Sequence, residues 1–207
     1  MLCDRRIIAQ FSPSSRIAVV LTSPKRRFNM HASHFDFPAV LHAQGPDPER
    51  AEALQTYGRF VGSWDAEITA RGADGASHEA SGEIHFGWVL QGRAIQDVWM
   101  IPRLSERNGA PAFPIAGNWY GTTIRVYDPT LAAWRIYWIN PATNVFCQQI
   151  GRAAGLDIVQ EGTTETGMHT RWSFTKITPN SFHWLGEVKP AGSADWRLVT
   201  DVRARRR

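Results

Sequence analysis

The chain is poor in cysteine and carries no long apolar run. Two cysteines among 207 residues, Cys3 and Cys147, are too few for a disulfide-stapled scaffold or a cysteine-based zinc site. No stretch approaches the roughly 18 consecutive apolar residues that a membrane helix needs, so no membrane span is expected. A glycine-rich phosphate loop, a G-x-S-x-G elbow and a His-Glu-x-x-His helix are all missing, which leaves P-loop, α/β-hydrolase and zincin readings without support. No metal site is expected. What is abundant is tryptophan: nine residues, from Trp64 to Trp196, beside 17 glycines. Many aromatics with frequent glycines point to β structure.

The positive charge is local. Residues 1–30 hold six basic side chains against the single acid Asp4, whereas residues 31–207 are nearly neutral. A nucleic-acid binder spreads basic residues over a folded face with aromatics placed for stacking, so nucleic acid is not an expected partner. The leader's arginine and serine content is that of a transit peptide. Its apolar stretch, Ile17 to Leu21, is shorter than the roughly 7–15 residues of a secretory core. A translation start at Met30, or simple disorder, is the plainer account. Residues 1–46 are accordingly read as a leader and 47–207 as the folded domain. With no export signal, a cytoplasmic setting with free thiols is expected. His31, His34 and His42 fall in the leader without periodicity and are read as tail residues, not metal ligands.

A helix is predicted over 48–60. Asp47 can cap it, Pro48 suits its first position, and Glu49 and Glu52 sit near the positive end of its dipole. Leu54, Tyr57 and Val61 then recur at helical spacing. From Trp64 onward, short alternating segments are separated by turn residues, among them Asp74-Gly75, Gln91-Gly92, Asp128-Pro129, Ala154-Gly155, Pro179-Asn180 and Ala191-Gly192. Strands are predicted over 64–71, 77–89, 93–101, 118–128, 134–140, 144–152, 156–163, 165–177, 181–189 and 196–204. No fixed repeat and no intervening long helices appear, which argues against propellers and parallel βαβ units. A sequential antiparallel meander removes its edges by closing. The expected fold is therefore all-β, a single closed antiparallel barrel of about ten strands with a short N-terminal helix closing one end.

Particular residues carry a family resemblance. A short helix running into Gly62-Ser63-Trp64 resembles the G-x-W start of lipocalin-like (calycin) barrels. The stretch Tyr120 to Pro129, then Trp134-Arg135-Ile136-Tyr137-Trp138, is similar to a group of uncharacterised bacterial lipocalin-like domains. So is the ending through Arg171-Trp172-Ser173-Phe174, Ser181-Phe182-His183-Trp184, Trp196-Arg197-Leu198 and Ala204-Arg205-Arg206. The resemblance covers roughly residues 50–207 and implies the fold more than a function. Such barrels include fatty-acid carriers, nitrobindin-like haem proteins, lyases, isomerases and cyclases, and fold alone does not choose among them. The pattern around a haem-binding histidine does not appear at His169 or His183, and no cofactor is expected.

Hairpin register indicates which side chains enter the barrel. A turn at Gln91-Gly92 sets Trp88 opposite Ile95, Phe86 opposite Asp97 and Ile84 opposite Trp99, an apolar face with Asp97 inside it. Pairing Tyr127 with Trp134 places Arg125 near Ile136 and Trp138. With Pro179-Asn180 at a turn centre, Trp172 faces Glu187, Phe174 faces Leu185 and Lys176 faces His183. Glu187 then meets Leu198, and Trp196 joins this interior, leaving Phe182 and Trp184 outside. A one-residue slip would reverse these faces.

Ionisable groups thus fall among aromatics. A carboxyl group in apolar surroundings can act as a general acid or base near neutral pH, so Asp97, Glu187 and His183 are the candidate catalytic residues. Arg125 can hold a ligand anion by a bidentate pair, or form with Asp97 a buried ion pair that only braces the barrel. Phe86, Trp88, Trp99, Trp138 and Trp172 suit contact with a flat ligand. Trp64 is read as a plug at the barrel floor, His85 as a surface residue and Cys147 as a buried, inert thiol. The leading expectation is a protein that binds a small apolar or aromatic, anionic ligand inside the barrel. The alternative is a cofactor-independent lyase, isomerase or hydratase acting on such a ligand. A third reading makes exposed Phe182 and Trp184 the contacts of a homodimer.

Overall fold

The computed structural model describes residues 36–72, 74–107, 119–164 and 166–207. The basic leader, with Cys3, Met30, His31 and His34, lies outside the described residues. Among these residues no helix is long and apolar enough to cross a membrane.

The N-terminal segment enters the fold earlier than the sequence pattern implies. Asp36 accepts from Ala39 N at 3.4 Å and caps the short helix α1 (Phe37–Leu41). Strand β1 (His42–Ala43) follows, with His42 opposite Val89 and Ala43 opposite Trp88. The unit that contains the barrel begins at Asp36. Two residues joined to a neighbouring strand leave no periodicity to read.

The expected capping is observed at Asp47, whose carboxylate accepts from Glu49 N at 3.0 Å. A 3₁₀ turn over Pro48–Arg50 leads into helix α2 (Ala51–Gly58). Leu54 and Tyr57 are buried as the spacing predicts, and Phe60, just past the helix, completes the buried face instead of Val61.

Ten strands then run as one meander: β2 (Gly62–Arg71), β3 (Ser77–Val89), β4 (Ala94–Ile101), β5 (Trp119–Asp128), β6 (Ala133–Asn140), β7 (Val145–Ala154), β8 (Asp157–Thr163), β9 (His169–Thr175), β10 (Ser181–Lys189) and β11 (Arg197–Arg206). Each pairs antiparallel with the next, and β11 returns to β2, so the sheet closes into a barrel. Closure removes the exposed edges of an open sheet.

One end is sealed by aromatics under α2. Phe60 packs against Phe174 and Phe182 at centroid distances of 4.7 and 5.0 Å, and Tyr57 meets Trp134 edge-on at 4.8 Å. Trp64 is fully buried and donates from Nε1 to Phe60 O at 2.7 Å. Arg206 lies over the Trp64 ring and donates to the carbonyls of Arg59, Val61 and Pro179. Gly62 has a φ of +130°, and a Cβ there would sit 2.6 Å from Arg206 Nη1. The glycine of the G-x-W pattern thus makes room for the arginine that covers the tryptophan.

Two of the inferred hairpins have the expected register. Phe86 pairs with Asp97, Trp88 with Ile95 and Ile84 with Trp99, and Tyr127 pairs with Trp134. The β9–β10 hairpin differs by one residue. Thr178 N donates to Ser181 O at 2.8 Å, closing the Pro179-Asn180 turn as expected. Lys176, however, adopts a left-handed φ of 49°, and His183 pairs with Thr175 rather than with Lys176. The extra residue on the β9 side is a bulge, and it exchanges the two faces of β10. A second irregularity lies between Gly186 and Glu187: Glu187 does pair with Leu198, but Gly186 pairs with Thr200. Phe182 and Trp184 therefore belong to the buried core. A homodimer interface cannot rest on them as exposed contacts.

Candidate functional site

The described residues leave the half of the barrel away from α2 unfilled. Strand alternation brings in Trp99 from β4, Trp119, Thr123 and Arg125 from β5, Trp138 from β6, Trp172 from β9 and Trp184 from β10. These side chains surround a cavity of about 200 Å³. Asn140, Thr143 and Val145, on the hairpin between β6 and β7, also line it. The five indoles form a collar: Trp99 and Trp184 are 5.4 Å apart, Trp184 and Trp172 5.5 Å, Trp172 and Trp138 6.3 Å, Trp138 and Trp119 6.2 Å, and Trp119 and Trp99 6.0 Å. All are tilted or edge-on, the arrangement favoured by the ring quadrupole. Gly121 lets the Trp138 ring cross close to β5, since a Cβ there would stand 2.6 Å from its Cη2.

Arg125 separates the cavity from the sealed end. It is 1% exposed and its partner Asp97 is 0% exposed. The guanidinium donates from Nη1 to Asp97 Oδ2 and from Nε to Gln160 Oε1 at 3.3 Å. Asp97 Oδ1 accepts from Thr123 N at 2.9 Å. The rings of Tyr57, Phe86 and Phe174 lie 5.0, 5.8 and 5.8 Å from the guanidinium carbon. Tyr57 donates to Gln160 Oε1 at 3.0 Å, and burial pushes its phenol well above the usual range, against the opposing pull of Arg125. Tyr57 is therefore a fixed donor. The cluster ties α2, β4, β5 and β8 together through hydrogen-bonded, neutralised charge.

The sequence-derived residues separate into three groups. Trp99, Trp138, Trp172 and Arg125 converge on the cavity. Phe86 and Trp88 lie toward the sealed end: Phe86 packs 5.6 Å from Phe60, and the Trp88 ring lies where a Cβ on Gly58 of α2 would be, 2.7 Å away. Asp97 is interior, beneath the cavity, with both oxygens engaged.

Glu187 and His183 are corrected. The β9 bulge turns both outward. Glu187 pairs on the outer surface with Arg171, Nε to Oε2 at 2.7 Å and Nη2 to Oε1 at 2.9 Å, and its side chain is 20% exposed. Trp196, expected inside with them, stacks outside under Arg171 at 4.2 Å. His169 is also exposed, bonded to Thr163 Oγ1. Neither histidine lines the cavity. Cys147 is buried beside Thr170, and burial pushes its thiol up. His85 hydrogen-bonds Ser63 Oγ at 2.8 Å on the outer face.

Trp119 and Trp184 are site residues that the sequence reading did not single out. Trp119 shares the parity of Arg125 on its strand, a usable signal. For Trp184 the only hint is that Phe182 and Trp184 alternate as a pair of large aromatics. Among the described residues no cluster of His, Cys, Asp and Glu could hold a metal ion.

No protein-family model matches the chain, and no curated protein matches it. Solved structures do. The S-type phycobiliprotein lyase CpeS from Guillardia theta aligns with a TM-score of 0.50 at 13% identity, over 78% of this chain and 98% of that one. Rv2717c from M. tuberculosis aligns with a TM-score of 0.49 at 12% identity, over 76% and 98%. At this identity the likeness to CpeS speaks for the fold alone.

Proposed function

We propose that this barrel binds a small aromatic or apolar molecule in the cavity between its five tryptophans. The observation that carries the reading is the contrast between the two halves of one interior. The end under α2 is packed solid with aromatic rings, while the other end holds about 200 Å³ of space walled by five indoles. An apolar cavity of about 150 Å³ already accepts a benzene ring, and drug-sized sites span roughly 300–1,000 Å³. A one- or two-ring ligand suits the size.

The anionic ligand expected from Arg125 alone has less support. Asp97 compensates the guanidinium within the same buried cluster, so the cavity floor offers hydrogen-bond donors but little net charge. The acid–base alternative, a cofactor-independent lyase, isomerase or hydratase, also loses ground. Both oxygens of Asp97 are engaged, and Glu187 is on the outer surface.

Titration with 2-acetylnaphthalene, followed by intrinsic tryptophan emission, tests the reading. Saturable quenching that Trp172→Ala weakens is expected, because the collar surrounds the probe. Emission unchanged up to the probe's solubility limit would reject it.

A further inference from the structure

The polar groups around the cavity narrow the ligand class, given that the barrel is a binding protein as proposed above. Trp99 is 3% exposed, and its indole Nε1 has no hydrogen-bond partner among the described residues. The side chain lines the cavity between Trp119 and Trp184. A buried donor without an acceptor is unfavourable and uncommon in folded proteins. An indole N–H can only donate, so the group that completes it is an acceptor. Arg125 is the one charged residue among the described residues lining the cavity, and Asp97, itself buried, offsets its charge. A second carboxylate brought to this floor would share Arg125 with Asp97, and would be desolvated without a full counter-charge.

We propose that the cavity selects an uncharged aromatic molecule bearing a hydrogen-bond acceptor oxygen, such as an aryl ketone, and that the Trp99 Nε1–H receives this oxygen. Stacking in the collar supplies affinity without regard to substituent. The indole N–H discriminates between molecules of the same shape, so Trp99 is a specificity-determining residue.

Three probes of similar size separate the contributions: 2-acetylnaphthalene, 2-isopropylnaphthalene and 2-naphthoate. Calorimetric or ligand-detected titration of the full chain is expected to give about tenfold tighter binding of the ketone than of the hydrocarbon, the scale of one well-made hydrogen bond. The carboxylate should bind no better than the ketone. Trp99→Phe keeps a ring in place but removes the donor. It should weaken the hydrocarbon and the ketone alike through its smaller ring, and abolish the ketone's advantage over the hydrocarbon. A second readout does not depend on that variant folding: the Trp99 indole N–H proton resonance of the parent should move downfield with the ketone and not with the hydrocarbon.

A ketone preference that survives Trp99→Phe, or an indole resonance indifferent to the ketone, would overturn the role of Trp99. Tightest binding by 2-naphthoate would overturn the uncharged class. In both cases the probes bind and the barrel remains a binding protein. If none of the three binds the parent chain, the binding reading itself falls and this inference with it.

Discussion

Arg125 donates into the carboxylate of Asp97 where neither side chain meets solvent: their side chains are 1% and 0% exposed. The pair sits between the aromatic plug and the cavity, and Gln160, Thr123 N and three aromatic rings occupy the space around it. A buried pair of this kind is sensitive to loss of one partner, because the other is left as an uncompensated charge. Asp97→Ala is therefore expected to lower unfolding free energy by about 3–5 kcal/mol. The double variant Asp97→Leu with Arg125→Met should recover most of that. Denaturant melts of the parent, single and double variants check it. A double variant no more stable than the single one would show that the pair is not the source of the loss.

Arg206 and Trp64 hold the other end. Arg206→Ala removes three carbonyl contacts and the guanidinium over the ring, and should cost about 2 kcal/mol. Arg206→Lys should recover only part of this, since an ammonium cannot reproduce the planar fork. Thermal denaturation of the two variants measures the difference.

The bulge at Lys176 makes a sharp prediction about which residues touch ligand. His183→Ala and Glu187→Gln alter the outer surface and should leave the dissociation constant for 2-acetylnaphthalene unchanged. Glu187→Gln should cost at most about 1 kcal/mol of stability, because its pair with Arg171 is part-exposed. Trp172→Ala, on the inner face, should weaken binding about tenfold or more. A His183 variant that loses binding while Trp172→Ala retains it would contradict the register.

Acid should loosen the barrel through three carboxylates held below their ordinary range. Hydrogen bonds from Thr130 and then Arg135 bring Asp128 down to about 2. The Leu104 backbone N–H, aided by Arg207, lowers Glu83, and Arg103, with a smaller share from Arg207, lowers Asp65. Each folded-state value lies below the unfolded one, so the unfolded chain takes up protons first as pH falls. Their contribution is complete above the usual carboxylate range and is lost as pH falls from about 4.5 toward 2. Melting temperature should drop across that window and be flat from there up to neutral pH as far as these groups are concerned. Arg135→Ala with Thr130→Ala should shrink the drop, because Asp128 would then titrate nearer its ordinary value. An unchanged acid limb would remove Asp128 from the account.

Much of the barrel was legible in the chain because it rests on local rules. Period-two alternation and turn residues set the ten strands to within a few positions. Asp47 and Pro48 marked the start of the helical segment. The apolar parity of Ile84, Phe86 and Trp88 against Ile95 and Trp99 placed Asp97 inside, and the Asp128-Pro129 turn did the same for Arg125. The sequence by itself thus determined a closed meander with Asp97 and Arg125 among aromatics, and left their pairing open.

The tertiary structure decided what a strand's own pattern leaves degenerate. On β10 both faces carry apolar side chains, Phe182 and Trp184 on one, Leu185 on the other, so alternation cannot choose between them. One left-handed residue, Lys176, inserts a single step between a correctly read turn and its strand. Because successive side chains point to opposite faces, that step carried Trp184 into the collar and put Glu187 and His183 outside. Likewise, no local pattern distinguishes the aromatics that fill the sealed end from those that leave space. Phe86 and Trp88 obey the same alternation as Trp99 and Trp172, and only their height along the closed barrel, relative to α2, separates plug from cavity.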